Sequence, residues 1–208
     1  QIALQTLLRS QESRLAVERI LSRQFQSSTL SNADTGLCRE LVSGCVRWRR
    51  LLDWLIERAT DGREQKPAVR EILRLGLYQI FFLNRIPEHA IVNESVRLAK
   101  AERCFGQAGF INAMMRRFLR ERGQITRDIA DLQKDRPALG QSHPDWLFEQ
   151  WEARWGREKT IRLMEWNNQP APTCARVNPL LTDPESLAKR WDEEGVQATP
   201  IDCDWAKP

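Results

Sequence analysis

The sequence has no cysteine pattern that is typical of a disulfide framework or a zinc site. Its five cysteines are odd in number and none belongs to a C-x-x-C pair, so neither kind of cross-link is predicted. Long apolar runs are missing as well, because the longest near-continuous one, LGLYQIFFL at 75–83, has about half the length that a bilayer crossing requires. No signal-peptide pattern opens the chain. We therefore expect a reduced, cytoplasmic protein without a membrane or metal partner.

Loops that bind nucleotides or cofactors are also missing. The ten glycines never fall in the G-x-G-x-x-G or G-x-x-x-x-G-K-[ST] spacing that cradles phosphates. The two histidines, His89 and His143, are too few and too far apart in the sequence for a metal site. Cys174 has no adjacent base or cationic cluster, which favours a structural thiol over a nucleophile.

His89, Asn93 and Glu94 lie close together in the sequence and raise the question of a proton-transfer site. On a helix, His89 and Asn93 share a face, whereas Glu94 lies about 100° further round. The three side chains therefore do not converge. We favour an ordinary helix start over a catalytic cluster.

What the sequence does contain is arginine, mostly in its first half. Residues 1–125 carry 21 Lys and Arg against 13 Asp and Glu, whereas residues 126–208 carry 11 against 15. Two arginine clusters supply the candidate RNA contacts, which are Arg47, Arg49, Arg50, Arg116, Arg117, Arg120 and Arg122. Such a basic surface suits phosphate contacts that position RNA without specifying its sequence. The alternative is a solvated helical face whose arginines pair with carboxylates.

Helical periodicity runs through residues 1–122. Apolar residues recur every three or four positions over 37–55, with Asn32 or Asp34 as the expected N-cap. Pro67 begins a pattern that is apolar on all sides, which predicts the central helix of a bundle. Several such helices joined by short loops predict an all-α domain.

The second part of the chain has a different composition. Residues 126–141 are polar and weakly patterned, which predicts a connector. Five tryptophans lie on apolar helical stripes, which favours core packing over base stacking: Trp146, Trp151, Trp155, Trp166 and Trp191. A helix that begins with a capping box of Thr182 and Glu185 lies between predicted short strands at 175–180 and 196–202. This succession predicts the beginning of a small α/β subdomain.

Several motifs together resemble a known family. VREILRLGLYQIFFL, RIPEHAIVNESVRLAK and GFINAMMRRFLR resemble the NusB-type RNA-binding domain, in the version fused to the N-terminus of the RsmB/Sun/Fmu rRNA cytosine-C5 methyltransferases. SHPDWLFEQWEARWG and the segment that starts with NNQPAPTCARVNPL resemble the region that links this domain to the methyltransferase core. The resemblance covers nearly the whole chain. It favours the methyltransferase branch over stand-alone NusB, which has no such continuation.

The resemblance implies a mainly α fold. It consists of a NusB-like all-α helical bundle at 1–125, a connector at 126–141, and a helical linker with an incomplete α/β subdomain at 142–208. Asn93 and Asn112 are implied to be structural positions. The implied function is to position rRNA for a methyltransferase domain that uses S-adenosylmethionine and that this sequence does not contain. The 208 residues alone are then expected neither to bind the cofactor nor to methylate RNA.

Two alternatives stay open. The first is a transcription antitermination module of NusB type, which joins RNA to a protein partner and has no enzyme activity. The second is an interaction scaffold without RNA, in which the arginines form only a solvated face. No catalytic, cofactor-binding or metal-ligating residue is assigned on this chain.

Overall fold

The computed structural model of the chain describes residues 1–13, 15–170 and 174–201. Twelve α-helices and one 3-10 turn lie in these ranges, and none of the described residues belongs to a β-strand. The mainly α fold is therefore confirmed. The helices are α1 (Ile2–Glu12), α2 (Val17–Gln26), α3 (Asn32–Arg47), α4 (Arg49–Ala59), α5 (Pro67–Phe82), α6 (Glu88–Ala101), α7 (Ala108–Arg120), α8 (Arg122–Asp135), α9 (Pro137–Gly140), α10 (Asp145–Trp155), α11 (Arg157–Asn167) and α12 (Pro184–Glu193). The 3-10 turn, Phe105–Gln107, lies between α6 and α7.

Helix α5 lies at the centre of the bundle, as its apolar pattern predicts. Pro67 occupies its first turn, where the missing N–H has no partner to lose. The helix contacts α1, α3, α4, α6 and α7, and most of its residues are buried. Because each buried large apolar side chain contributes about 1.5–3 kcal/mol, α5 holds the surrounding helices together.

Two glycines let helices approach one another closely around α5. A Cβ atom on Gly44 of α3 would lie 1.9 Å from Cζ of Tyr78, so only glycine leaves room for this ring. A Cβ atom on Gly76 of α5 would lie 2.3 Å from Sδ of Met115 on α7. Tyr78 also stacks on Phe82, with ring centroids 5.2 Å apart. These contacts fix α3 and α7 against α5.

The apolar pattern over 37–55 forms two helices rather than one. α3 and α4 meet at Trp48, which is buried and stacks on an aromatic ring of α5 at 4.5 Å. The N-cap of α3 is Ser31, whose hydroxyl accepts a hydrogen bond of 3.1 Å from the backbone N–H of Asp34. The predicted caps, Asn32 and Asp34, are therefore wrong, because both lie within the helix.

Residues 126–141, predicted as a polar connector, lie mostly in α8 and α9. Ile125 of α8 is buried in the bundle core, and Ile129 and Leu132 pack against that core. Their spacing of four and three residues makes a narrow apolar stripe within a polar segment. Helices α1 to α11 form one compact unit, Gln1–Gln169. The domain boundaries predicted after 125 and 141 fall inside this unit and stay predictions.

Helices α10 and α11 form a hairpin. Gly156 joins them with a φ of +80°, in a region that glycine adopts readily. The small core of this hairpin consists of Ala138, Phe148 and Met164. Three tryptophans lie outside it, with 65%, 42% and 67% of their surface exposed: Trp146, Trp155 and Trp166. Core packing is the wrong interpretation for these three, because much of their surface is exposed to solvent.

Residues from Pro170 onward form a second compact unit. The carboxylate of Asp183 caps α12 by accepting hydrogen bonds from the backbone N–H and the hydroxyl of Ser186, at 2.8 and 2.7 Å. The predicted capping box of Thr182 and Glu185 is therefore wrong, because the cap lies one residue further on.

The two short strands predicted on either side of α12 are not formed in the described residues. Residues 175–180 and 196–201 belong to neither helix nor strand, and residue 202 lies outside the described ranges. A strand requires a hydrogen-bonded neighbour, and no described residue supplies one. None of the residues 174–201 is buried, so the described part of this unit has no core of its own.

Candidate nucleic-acid interface

The seven candidate arginines form two groups rather than one patch. Arg47, Arg49 and Arg50 lie where α3 ends and α4 begins. At the opposite end of α4, the carbonyl oxygen of Ala59 accepts a hydrogen bond of 3.2 Å from Nη1 of Arg117 on α7. The first turn and the last residue of α4 are about 14 Å apart along the helix axis. The two groups therefore lie at opposite ends of α4.

Two arginines at the α3–α4 junction hold the α10–α11 hairpin to the bundle. Nη1 of Arg47 donates a hydrogen bond of 3.4 Å to the main-chain oxygen of Asn168. The guanidinium of Arg50 donates to the carbonyl oxygen of His143 and to the carboxylate of Asp145. The hydrogen bond from Arg50 is the main reason why the pKa of Asp145 lies below its ordinary value. These contacts favour a structural role for both arginines.

Arg49 belongs to a largely buried ion network between α4 and α5. Its Nη2 lies 3.6 Å from Oε1 of Glu71, whose side chain is fully buried. Arg74 also donates to Glu71 and reaches both carboxylate oxygens of Asp53, each at 2.7 Å. Because an unpaired buried carboxylate is strongly destabilising, Arg49 helps to neutralise Glu71. This arginine, too, has a structural role.

Ser142 caps α4 from a distant part of the chain. α4 has no side-chain cap from its own N-cap residue. Instead, Oγ of Ser142 accepts hydrogen bonds from the backbone N–H groups of Arg50 and Leu51, at 3.0 and 3.4 Å. These are the second and third residues of the helix, whose N–H groups a capping side chain normally satisfies. Ser142 has a φ of +59°, which is uncommon for residues other than glycine, so its surroundings hold it in place.

The arginines on α7 are the exposed group. Arg116 and Arg120 are exposed, and within the described residues the side chain of Arg120 makes no hydrogen bond or ion pair. Arg117 pairs at 3.1 Å with the carboxylate four residues further on, and both side chains are nearly half exposed. Such a pair contributes only about 0.3–0.5 kcal/mol, so a phosphate can compete with it. Arg122 lies 4.0 Å from Glu88 of α6.

A groove between α6 and α7, which we call the α6–α7 groove, lies beside these arginines. Its volume is about 490 Å³. It is lined by Asn93, Val96, Arg97, Lys100, Ala108, Gly109 and Asn112. One turn beyond Asn112, Arg116 donates its Nε hydrogen to Oδ1 of that asparagine at 3.1 Å. The α6–α7 groove therefore continues into the exposed arginine face of α7.

A larger groove beside α4 has mixed charge. Its volume is about 750 Å³. The charged residues that line it are Arg49, Arg50, Arg136, Asp53, Glu57 and Asp145. Because carboxylates oppose an incoming phosphate, this groove is a poor site for RNA. Of the two grooves, only the α6–α7 groove is lined without a carboxylate.

The trio His89, Asn93 and Glu94 forms no catalytic cluster. His89 is exposed in the first turn of α6, and Glu94 forms an exposed ion pair with Arg97 at 2.6 Å. The predicted ordinary helix start is confirmed, since α6 begins at Glu88. Asn93 is exposed and lines the α6–α7 groove, and its implied structural role stays a prediction.

Other chemical sites are not visible in the part of the chain that the structure describes. No three His, Cys, Asp or Glu side chains in these residues form a group that could hold a metal ion. No helix among them has the length and apolarity for crossing a bilayer. Cys45 is buried, and burial raises the pKa of its thiol far above the ordinary value, which opposes formation of the nucleophilic thiolate.

Four residues of the α6–α7 groove were not among the sequence candidates for RNA contacts: Asn93, Arg97, Lys100 and Asn112. The first three are spaced by four and three residues, which places them on one face of a helix. The same spacing relates Asn112 to Arg116 on the next helix. The sequence contains both faces, but only the fold shows that they lie beside each other.

Comparison with protein families assigns the chain. Residues 1–120, which end with the last residue of α7, match the NusB family, and the chain belongs to that family. Residues 143–206 match a second family, described as the Methyltr_RsmF/B-like, ferredoxin-like domain. This order of domains is that of the N-terminal region of the RsmB/Sun family, so the resemblance inferred from the motifs is confirmed.

Curated relatives agree with this assignment. The chain is 38% identical to the "Probable ribosomal RNA small subunit methyltransferase B" of Synechocystis over 86% of its own length. It is 30% identical to the protein of the same name from Bacillus subtilis over 94% of its length. It is also 30% identical to the "Ribosomal RNA small subunit methyltransferase B" of Erwinia tasmaniensis over 95% of its own length. The chain spans 40%, 44% and 44% of these three relatives.

Proposed function

We propose that the chain is the RNA-binding N-terminal part of an S-adenosylmethionine-dependent rRNA (cytosine-C5) methyltransferase of the cytoplasm. The observation that carries the proposal is the order of two family matches, NusB at 1–120 and the RsmF/B-like domain at 143–206. The relatives that align over both regions are named small-subunit rRNA methyltransferases. In this proposal the bundle holds rRNA for a catalytic domain that the sequence does not contain.

The second family match also favours this proposal over the antitermination alternative. An antitermination module of NusB type has no need of a methyltransferase-type domain after its bundle, whereas residues 143–206 match one. We therefore keep the division into a bundle at 1–125, a connector at 126–141 and a linker with an α/β subdomain at 142–208 as part of the proposal.

The described residues do not fit S-adenosylmethionine. Nucleotide-like cofactors of α/β folds bind where glycine-rich turns follow parallel strands. The described residues form no strand, and the glycines with positive φ, Gly62, Gly156 and Gly195, stand singly beside helix ends. We assign no catalytic, cofactor-binding or metal-ligating residue to this chain, and we expect it alone to be inactive in methyl transfer.

We place the phosphate contacts on the exposed face of α7. Arg116 and Arg120 are exposed. Arg117 is nearly half exposed, although it forms a surface ion pair and also donates to the carbonyl oxygen of Ala59. Arg122 is the first residue of α8, directly after this face in the sequence. The earlier candidates Arg47, Arg49 and Arg50 are held by partners within the fold, which favours a structural role for them.

Replacing Arg116, Arg117 and Arg120 together with alanine tests this surface. Each lost phosphate contact lowers the slope of log affinity against log salt by about 0.7–0.9. We expect the triple variant to bind a labelled small-subunit rRNA fragment about tenfold more weakly at low salt, with a flatter salt dependence. Fluorescence anisotropy titrations at several KCl concentrations measure both quantities.

Arg154, Arg157 and Arg162 on α10 and α11 offer a matched control. They are also exposed, and two of them form surface ion pairs like that of Arg117. Replacing these three with alanine removes the same charge and should largely preserve affinity. An equal loss in both triple variants would mean that only net charge matters. A wild-type affinity that does not fall with salt would contradict phosphate binding altogether.

A further inference from the structure

We propose that the α6–α7 groove binds an unpaired nucleotide of the RNA, whose flanking phosphates continue along Arg116 and Arg120. The inference rests on the proposed RNA-binding function and adds a specific site and a class of RNA to it. The site differs from the arginine face alone, because it combines cations with side-chain amides.

Two rows of side chains line the groove and its continuation. Asn93, Arg97 and Lys100 form the row on α6, and Gly109, Asn112 and Arg116 form the row on α7. Positions three or four apart are neighbours on a helix surface, so each row is continuous. The gap between the rows is the place where a ligand contacts both helices.

The two amides suit the edge of a base. A guanidinium carries only donors, so the amide oxygen of Asn112 must face Nε of Arg116, which leaves the two amide hydrogens of Asn112 for an acceptor. Asn93 is exposed, and within the described residues its side chain makes no hydrogen bond. The amide of Asn93 matches the adjacent donor and acceptor of adenine, and the amide hydrogens of Asn112 add donors for an acceptor on the base. Unpaired RNA bases offer such edges, whereas a duplex conceals most of them.

The cations flank the amides where phosphates would lie. Lys100 is exposed and forms no ion pair among the described residues. Arg97 pairs only with Glu94, and the two side chains are 71% and 51% exposed, so a phosphate can displace the carboxylate at little cost. On α7, Arg116 and Arg120 follow Asn112 at intervals of four residues, which correspond to about 6 Å each along the helix.

The composition of the groove favours a nucleotide over an acidic peptide. Its volume of about 490 Å³ lies within the range of about 300–1,000 Å³ that is usual for small-ligand sites. An acidic peptide would use the cations but has no specific need for the two amides. A nucleotide uses both, because its phosphate contacts the cations and its base contacts the amides.

Gly109→Leu fills the groove and leaves the fold intact. Gly109 is the second residue of α7, and a Cβ atom placed on it meets no atom within 4 Å. Gly123, the second residue of α8, also has open space around a Cβ atom and does not line the groove. Gly123→Leu is therefore the matched control. Circular dichroism and thermal unfolding check that both variants fold.

The probes are a labelled single-stranded oligoribonucleotide and the same sequence as a duplex. We expect Gly109→Leu to weaken binding of the single strand about tenfold, as for the loss of one good base contact. Gly123→Leu should leave it unchanged. The duplex should bind more weakly, and Gly109→Leu should alter its affinity little.

A second variant tests the amides separately. Asn93→Ala combined with Asn112→Ala should reduce the difference in affinity between oligoadenylate and oligouridylate. The dependence of binding on salt should stay the same, because no cation is removed. Unchanged discrimination between the two oligonucleotides would overturn the proposed base contacts.

The outcomes show whether the groove site fails alone or the proposed RNA-binding function fails with it. If the wild type binds RNA and Gly109→Leu binds it equally well, the groove site is wrong and RNA binding stands. If the wild type binds neither probe in low salt, both proposals fail. If polyglutamate competes with the oligoribonucleotide and Gly109→Leu abolishes binding of the polyglutamate as well, the groove belongs to an acidic protein partner and the nucleotide site is overturned.

Discussion

Ser142 completes a helix that lies far away from it in the sequence. Its hydroxyl accepts hydrogen bonds from two N–H groups in the first turn of α4, which have no partner within their own helix. In the sequence, Ser142 precedes Pro144 and suggests a helix start there. The structure uses the same serine for another helix, and the N-cap residue of α10 is Pro144, without a side-chain hydrogen bond.

Ser142→Ala removes this cap, and we expect the free energy of unfolding to fall by about 1 kcal/mol. Urea-induced unfolding measures the change, and hydrogen exchange should show faster exchange at the amides of Arg50 and Leu51. Ser22→Ala is the control, since Ser22 is exposed in α2 and should leave stability almost unchanged. Slow exchange at both amides in Ser142→Ala would mean that another group caps α4.

At the scale of the helix, α3 contains two glycines in opposite surroundings. Gly44 faces the ring of Tyr78, whereas a Cβ atom on Gly36 would meet nothing within 4 Å. Glycine weakens a helix by about 0.5–1 kcal/mol relative to alanine. At Gly44 the lower helix propensity is offset by the close contact with α5, which a side chain would prevent. At Gly36 no close contact requires a glycine.

Replacing each glycine with alanine should therefore have opposite effects. Gly44→Ala forces the Tyr78 ring to move, and we expect a loss of about 1–3 kcal/mol from overpacking. Gly36→Ala should stabilise the protein by about 0.5–1 kcal/mol, because it only improves helix propensity. Chemical denaturation of the two variants gives the comparison. A destabilised Gly36→Ala variant would contradict the open surroundings of that residue.

The sequence predicts well those helices whose ends are marked by proline or glycine. Pro67 and Pro87 mark the beginnings of α5 and α6, and Gly156 separates α10 from α11. The break at Trp48 could not be predicted, because Trp48 continues the apolar stripe of α3 into α4. α8 was missed because a stripe of only three apolar residues is hard to distinguish in a polar segment.

The part of the candidate site that lies on a single helix was predictable, but contacts between helices were not. The exposed arginines of α7 follow from the pattern of a single helix, and their exposure agrees with the structure. The partners of Arg47, Arg49 and Arg50 lie in other helices or far along the chain. No local pattern indicates such distant pairs, so the sequence could not separate structural arginines from free ones.

At the scale of the whole molecule, the chain consists of a large compact unit, Gln1–Gln169, and a second one after it. The large unit contains the bundle core and the core of the α10–α11 hairpin. None of the residues 174–201 is buried, so these residues do not add to either core.

A chain shortened to residues 1–169 should fold and bind RNA like the complete sequence. We expect its free energy of unfolding to change by less than about 1 kcal/mol, because no buried residue between 174 and 201 is lost. Thermal unfolding and the rRNA titration measure the two properties. A large loss of affinity with unchanged stability would place RNA contacts after residue 169.

The cap of α4 also affects when this helix is completed during synthesis of the chain. Ribosomes synthesise a chain from its N-terminus, and Ser142 follows Arg50 by 92 residues. All seven helices of the NusB-family region are therefore translated while the first turn of α4 still lacks its hydroxyl partner. The nascent bundle therefore acquires the cap of α4 only after residue 142 has been translated.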